Sequence, residues 1–219
     1  MMTNLFSIFD PTSMINMNWL MPIMILILMM PSYYMLSNRI NIMFKYINSL
    51  MIKEYKININ NNKFIIIIIS MFFFIWLNNL MSISPYIFSS TSHLQINMFL
   101  AMPTWLSIII MGWILNINHM LTHLVPQSTP MILIPFMVCI EIISNIIRPI
   151  TLTVRLTANL IAGHLLLTLL SKINLNINSM MMPLIIMSQM ILLMLELSVA
   201  IIQAYVFTIL MSLYFMDIN

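Results

Sequence analysis

The sequence predicts an all-α integral membrane protein. Three observations lead there. The 219 residues are 62% hydrophobic and only 6% charged, and their mean hydropathy is +1.03. A soluble domain carries about 25% charged residues, so lipid must solvate most of this surface. The apolar residues come in runs of helix length dominated by Ile, Leu and Met, with only two glycines. A transmembrane barrel would instead show alternating segments of about ten residues.

Five hydrophobic helices follow in order, in one membrane domain spanning residues 1–219. The first, 14–36, contains Pro22 and Pro31, which membrane helices tolerate. Asp10 precedes it with no Lys or Arg, unlike a secretory or transit leader, so it reads as a retained helix. The second, 64–81, opens on FIIIIISMFFFIWL. Its β-branched composition suits a strand in water, but an open strand in lipid leaves its backbone unsatisfied, so helix wins. The third is 96–115. The fourth, 130–170, and the fifth, 180–216, exceed the roughly 20 residues that cross a bilayer. Forty helical residues are about 60 Å long. No polar loop breaks either unit, so a hairpin of two long, tilted helices is expected, with Pro149 at a kink.

Between the first two units, residues 37–63 hold Arg39, Lys45, Lys53, Lys56 and Lys63 against Glu54 alone. The positive-inside rule puts this segment on the matrix or cytoplasmic side. Its interleaved Ile, Met, Phe and Tyr fit a matrix-surface helix and fit a solvated linker equally well. The N-terminus is then outside, the loop near 172–179 outside and the C-terminus inside. Cys139 is the only cysteine, which excludes an internal disulfide and Cys-based metal sites. There is no phosphate loop and no nucleophile elbow. His119 and His123 lack a third ligand, so no metal and no cofactor are expected.

Charges inside membrane helices are costly and usually functional. Glu141, Arg148 and Arg155 recur every seven residues and therefore share one helix face. Asn159 lies one turn further. Gln189, Glu196 and Gln203 make a second stripe, with Asp217 fourteen residues beyond. Such stripes line a wet cavity or act as interhelical glue; for Gln189, Asn159 and Ser144 the two readings are even. Arg155 has no acid at i±3 or i±4 and needs a carboxylate from elsewhere or water. His164, nine residues on, points away from it and is as readily structural as a relay. Asp217 is as readily a solvated terminal charge.

The segment EIISNIIRPITLTVRLTANLIAGHLLLTLL (141–170) resembles the signature of subunit a of F-type ATP synthases. LELSVAIIQAYVFTILMSLYFMD (195–217) resembles its C-terminal helix, and the opening residues resemble the insect-like mitochondrial version. Residues 37–95 match in layout alone. The resemblance implies a proton-channel stator subunit that binds no nucleotide and is not an enzyme by itself. Its partners would be a c-subunit ring, other membrane-sector and peripheral-stalk subunits, lipid and protons, with no nucleic acid. Arg155 would be the stator arginine. His164 and Glu196 would belong to the half-channel from the intermembrane side, Glu141 and Asp217 to the matrix side, and Asn159 and Gln203 to the surroundings of the arginine. The location would be the mitochondrial inner membrane, with the C-terminus in the matrix. Two competitors remain: a secondary transporter, disfavoured because no internal repeat is seen, and a non-catalytic scaffold of a respiratory complex.

Overall fold

The computed structural model describes residues 6, 9–12, 17–28, 39–59, 61–84, 87–125, 130–174 and 181–218. Its helices are α1 (Leu20–Leu28), α2 (Arg39–Asn58), α3 (Asn62–Ser82), α4 (Leu94–Leu115), α5 (Ile117–His123), α6 (Ile134–Asn174) and α7 (Met182–Ile218), with a short 3-10 turn at Ser90–Ser92 before α4. Among the described residues there is no strand. Among the described residues, four helical segments are long and apolar enough to cross a membrane: Lys63–Ser82, Leu94–Leu115, Met131–Ile173 and Met182–Met216. The protein is thus an all-α membrane protein. The first expected unit, 14–36, is described only over 17–28, and most of the hairpin loop lies outside the described residues.

Local chemistry explains the helix ends and the two internal prolines. Asn61 starts α3 by accepting a bond from the Lys63 amide at 3.3 Å, which satisfies a donor that the helix leaves free. Pro103 in α4 and Pro149 in α6 each remove one backbone donor, yet both helices run on. The carbonyls left without their usual donor are those of Phe99 and Asn145, gaps that membrane helices tolerate, and nearby hydroxyls bond other carbonyls of the same turns. Thr104 bonds back to the Leu100 and Ala101 carbonyls at 3.1 and 2.9 Å. Thr151 and Thr153 do the same to Arg148 and Ile150 at 2.9 and 2.7 Å. The 41 residues of α6 make about 60 Å of helix at 1.5 Å per residue, with no break at Arg148-Pro149.

Packing sets the helix directions. Phe64 stacks on Phe215 with ring centres 4.1 Å apart, and Asn79 reaches the Ala200 carbonyl at 3.5 Å, so α3 lies antiparallel to α7. Buried Ala101, Ala200 and Ala204 let backbones approach closely, the usual device of membrane interfaces. Thr153 meets Met98 at 3.1 Å, and Trp105 and Ile108 share a cavity wall with Glu141 and Arg148, so α4 lies antiparallel to α6.

The basic segment forms a complete helix, α2, that folds back along α3. Phe44 packs against Phe73 and Trp76 at 5.7 and 6.2 Å. Polar contacts then fasten α2 to α7. Tyr55 Oη and Thr208 Oγ1 are 2.7 Å apart in a buried hydrogen bond, Tyr205 donates to Glu54 at 3.1 Å, and Asn58 donates to Ser212 at 3.4 Å. Burial of the Tyr55 phenol pushes its pKa up to about 12, against a smaller opposing effect of the Thr208 bond.

Candidate functional site

Packing divides the residues of the two polar stripes on α6 and α7 among three settings. Far from the loop that joins α6 to α7, Glu141, Arg148, Asn145 and Tyr214 border a cavity of about 680 Å³, with Trp105 and Ile108 of α4 on its wall. Arg148 lies 4.0 Å from Glu141 and 5.1 Å from the centre of the Tyr214 ring. Its charge is therefore committed within the chain, to a carboxylate on its own helix and an aromatic face on α7. Asp217 falls on the last turn of α7; its side chain lies outside the described residues.

Nearer the loop that joins α6 to α7 is a cavity of about 180 Å³ bordered by Asn79, Asn159, Gly163, His164, Glu196 and Gln203. Room for Glu196 comes from a missing side chain. A Cβ placed on Gly163 would sit 2.5 Å from Glu196 Oε1, so the carboxyl group rests directly on the α6 backbone. Neither Glu196 oxygen has a hydrogen-bond partner, and both are buried. His164 is buried. It bonds to the Ser82 main chain and meets the edge of Phe9 at 6.2 Å, while its Nε2 is buried without a partner. A cavity of this size holds roughly six waters at about 30 Å³ each. Orphaned buried polar atoms are the partners such waters need.

Arg155 lies between the two cavities and borders neither. It is exposed on α6, as is Asn159 one turn away. Among the described residues Arg155 has no ion pair and no hydrogen bond. An arginine on a membrane helix facing outward without a partner requires a carboxylate or water from outside this chain.

The structure thus brings His164, Glu196, Asn159 and Gln203 together, groups Glu141 with Arg148, and leaves Arg155 apart. Ser144 donates to its own helix at the Glu141 carbonyl, 2.8 Å away, and among the described residues it bonds to no other helix. His119 and His123 lie on α5, with side chains outside the described residues. Three residues that sequence reasoning passed over enter the sites: Asn79, Gly163 and Tyr214. Gly163 carried a signal, being one of two glycines in the chain. Asn79 and Tyr214 carried none, since their relevance depends on helices far away in sequence.

Comparison with known proteins supplies the remaining observation. The profile of the family described as ATP synthase A chain matches residues 13–216. ATP synthase subunit a of Drosophila melanogaster is 49% identical over 224 aligned residues, covering 100% of both chains. That of Anopheles gambiae is 49% identical over 226, again covering 100% of each. The Locusta migratoria protein is 49% identical over 220, covering 98% of each.

Proposed function

We infer function from one premise: the chain belongs to the ATP synthase A chain family. On that premise it is the proton-conducting stator subunit of the synthase membrane sector, multi-pass in the mitochondrial inner membrane, with its C-terminus in the matrix. It works against a ring of c subunits, each carrying a membrane-embedded carboxylate, alongside other membrane-sector and peripheral-stalk subunits. It binds no nucleotide.

A single observation carries the mechanism. Two largely apolar cavities, each with a few polar groups on its wall, lie on either side of Arg155 along the hairpin, and Arg155 faces outward with no partner among the described residues. A proton from the intermembrane side reaches the outer cavity and passes by His164 and Glu196 to a ring carboxylate. Histidine and glutamate suit this because burial can tune both to exchange protons near working pH. The neutral carboxyl then rotates through lipid at little electrostatic cost. When the turn brings it towards Arg155 from the other side, the guanidinium favours the ionised form, and the proton leaves through the inner cavity by Glu141 and Asp217. Arginine never surrenders its own proton in proteins, so Arg155 cannot relay and a direct leak between the cavities is repelled. Asn159 and Gln203 keep the neighbourhood of the arginine polar. Each proton crossing the full potential contributes about 2.3 kcal/mol per 100 mV.

The test is proton-driven ATP synthesis in vesicles containing the assembled complex. Arg155→Ala abolishes synthesis, with ring assembly verified separately. Arg155→Lys also fails, because lysine lacks the planar fork and sheds its proton readily when buried. Near-normal coupled synthesis by an assembled Arg155→Ala complex refutes the mechanism.

A further inference from the structure

The ends of three helices meet around the cavity of about 680 Å³. Trp113 is two residues from the end of α4, Tyr214 is four from the end of α7, and Glu141 lies two turns into α6. All three border the cavity. The ends of membrane helices stand at the level of the lipid head groups, where Trp and Tyr collect. From that level the cavity continues along an apolar wall of Trp105, Leu106, Ile109, Ile142 and Ile146. Leu106, Ile142 and Ile146 are 49%, 47% and 49% exposed, so this wall is open to whatever lies beside the helices.

The polar corner of the cavity holds one cation and one anion, and neither is saturated. Arg148 and Glu141 stand 4.0 Å apart with 39% of each side chain exposed, which is beyond hydrogen-bond distance. Tyr214 covers a face of the guanidinium. Its edge, where five N–H donors lie, makes no hydrogen bond among the described residues, and the Glu141 carboxylate accepts none. Charges at membrane depth need such partners. A ligand that completes both carries an anion for Arg148 and a donating cation for Glu141 on a short linker, with an apolar tail for the wall. A head group of net negative charge would bring a second anion to Glu141. A choline head has no N–H to give the carboxylate. A phosphate joined through two carbons to a primary ammonium meets both groups. The size agrees: sites of about 300–1,000 Å³ enclose drug-sized molecules, so this one admits a head group, its glycerol and the first part of an acyl chain.

We propose that this cavity is a binding site for a phospholipid with a primary-ammonium head, a phosphatidylethanolamine. Its phosphate lies on Arg148, its ammonium on Glu141, and one acyl chain runs along the wall between α4 and α6. The chain takes the apolar part of the cavity, while the head group and its water stay at Glu141 and leave proton release there open. The site does not depend on the direction in which protons move.

The experiment uses the assembled synthase in phosphatidylcholine vesicles that carry a trace of phosphatidylethanolamine with a diazirine on one acyl chain. Illumination attaches that chain to its neighbours, and mass spectrometry places the adduct. Adducts fall on α4 between Trp105 and Trp113 and on α6 between Glu141 and Arg148. Unlabelled phosphatidylethanolamine displaces the probe at least about tenfold better than equal amounts of phosphatidylcholine or phosphatidylglycerol, the difference expected from one charge-assisted hydrogen bond. Arg148→Gln weakens capture by about the same factor. Leu106→Trp fills the wall without touching either charge and removes the adduct, with assembly checked on native gels. Equal displacement by the three lipids overturns the proposal, because the head group is then not read. Absence of adducts on α4 and α6 of the assembled wild-type complex overturns it too, since a protein neighbour then covers the wall. An adduct that survives Leu106→Trp places the chain elsewhere and has the same consequence. None of these results bears on Arg155, whose role proton-driven synthesis tests separately.

Discussion

Replacing Gly163 with alanine puts the Gly163–Glu196 contact to a direct test. In an ordinary helix interior the change stabilises by about 0.5–1 kcal/mol, because glycine loses more backbone freedom on folding. Here the new Cβ lands 2.5 Å from Glu196 Oε1 and 3.0 Å from its Cδ and Cγ, where ordinary contact begins at 3.4 Å. The carboxylate must retreat by about 0.9 Å, the difference between 3.4 and 2.5 Å. Rotation off its preferred torsion costs about 0.5–1.5 kcal/mol, and the backbones of α6 and α7 absorb whatever remains. A displacement near 1 Å at a reacting group costs on the order of 100-fold in rate. Gly163→Ala therefore lowers proton-driven ATP synthesis by up to about 100-fold while the complex still assembles. Shortening the partner supplies the control. Glu196→Asp withdraws the carboxylate by one methylene, so the double variant Gly163→Ala/Glu196→Asp loses less than the two single losses multiplied. The assay is synthesis rate per assembled complex, counted on native gels. Wild-type rate and raised stability in Gly163→Ala would show that Glu196 does not depend on the bare backbone.

Three further outcomes follow from contacts elsewhere. Tyr55→Phe removes the buried bond to Thr208 and lowers stability by about 1 kcal/mol, read as a lower thermal midpoint of the solubilised complex. The same tyrosine makes stability pH-dependent at the alkaline end. Its folded pKa is about 12 against an ordinary 10.0. Below pH 10 both states hold the proton and the contact is at full strength. From 10 towards 12 the unfolded chain releases it first, so stability falls as pH rises. Tyr55→Phe flattens that part of the profile, and an unchanged profile would count against the buried phenol. Tyr214→Phe keeps the ring under Arg148 and leaves activity near normal, whereas Tyr214→Ala removes a cation–π contact of about 0.5–2 kcal/mol and slows synthesis. Equal rates in the two variants would refute the ring's role in holding Arg148.

Arg148 and Arg155 show where sequence reading stops. They are the same residue type, seven apart on one helix face, and nothing local separates them. Packing does: Tyr214 arrives from α7 beneath Arg148, and Glu141 lies two turns before it on the same face, while no hydrogen bond, ion pair or ring contact among the described residues involves Arg155. Glu196 and Gly163 present the same problem. Each was visible as a polar position or a rare glycine, but their contact depends on the register of two helices whose connecting loop says little about it. Thr91 and Asn79 are ordinary polar residues in a stretch where the sequence reading found a resemblance of layout alone, although the relatives align over the whole chain, and their unsatisfied atoms exist only once α3, α6 and the Ser90–Ser92 turn are packed. For α2, amphipathic composition predicted a helix or a linker, and the aromatic packing of Phe44 on Phe73 and Trp76 decided that it folds back along α3.

By itself the sequence determined the class, the long uninterrupted helices and the few positions where charge enters lipid. These follow from hydrophobicity and from the need of each backbone group for a partner, which are properties of residues and short segments. The tertiary structure alone decided which charges are neutralised within the chain, which are left outward for a partner, and where water can stand. Those outcomes depend on distances of a few ångströms between helices remote in sequence, and the Coulomb and contact energies that set them change steeply over that range.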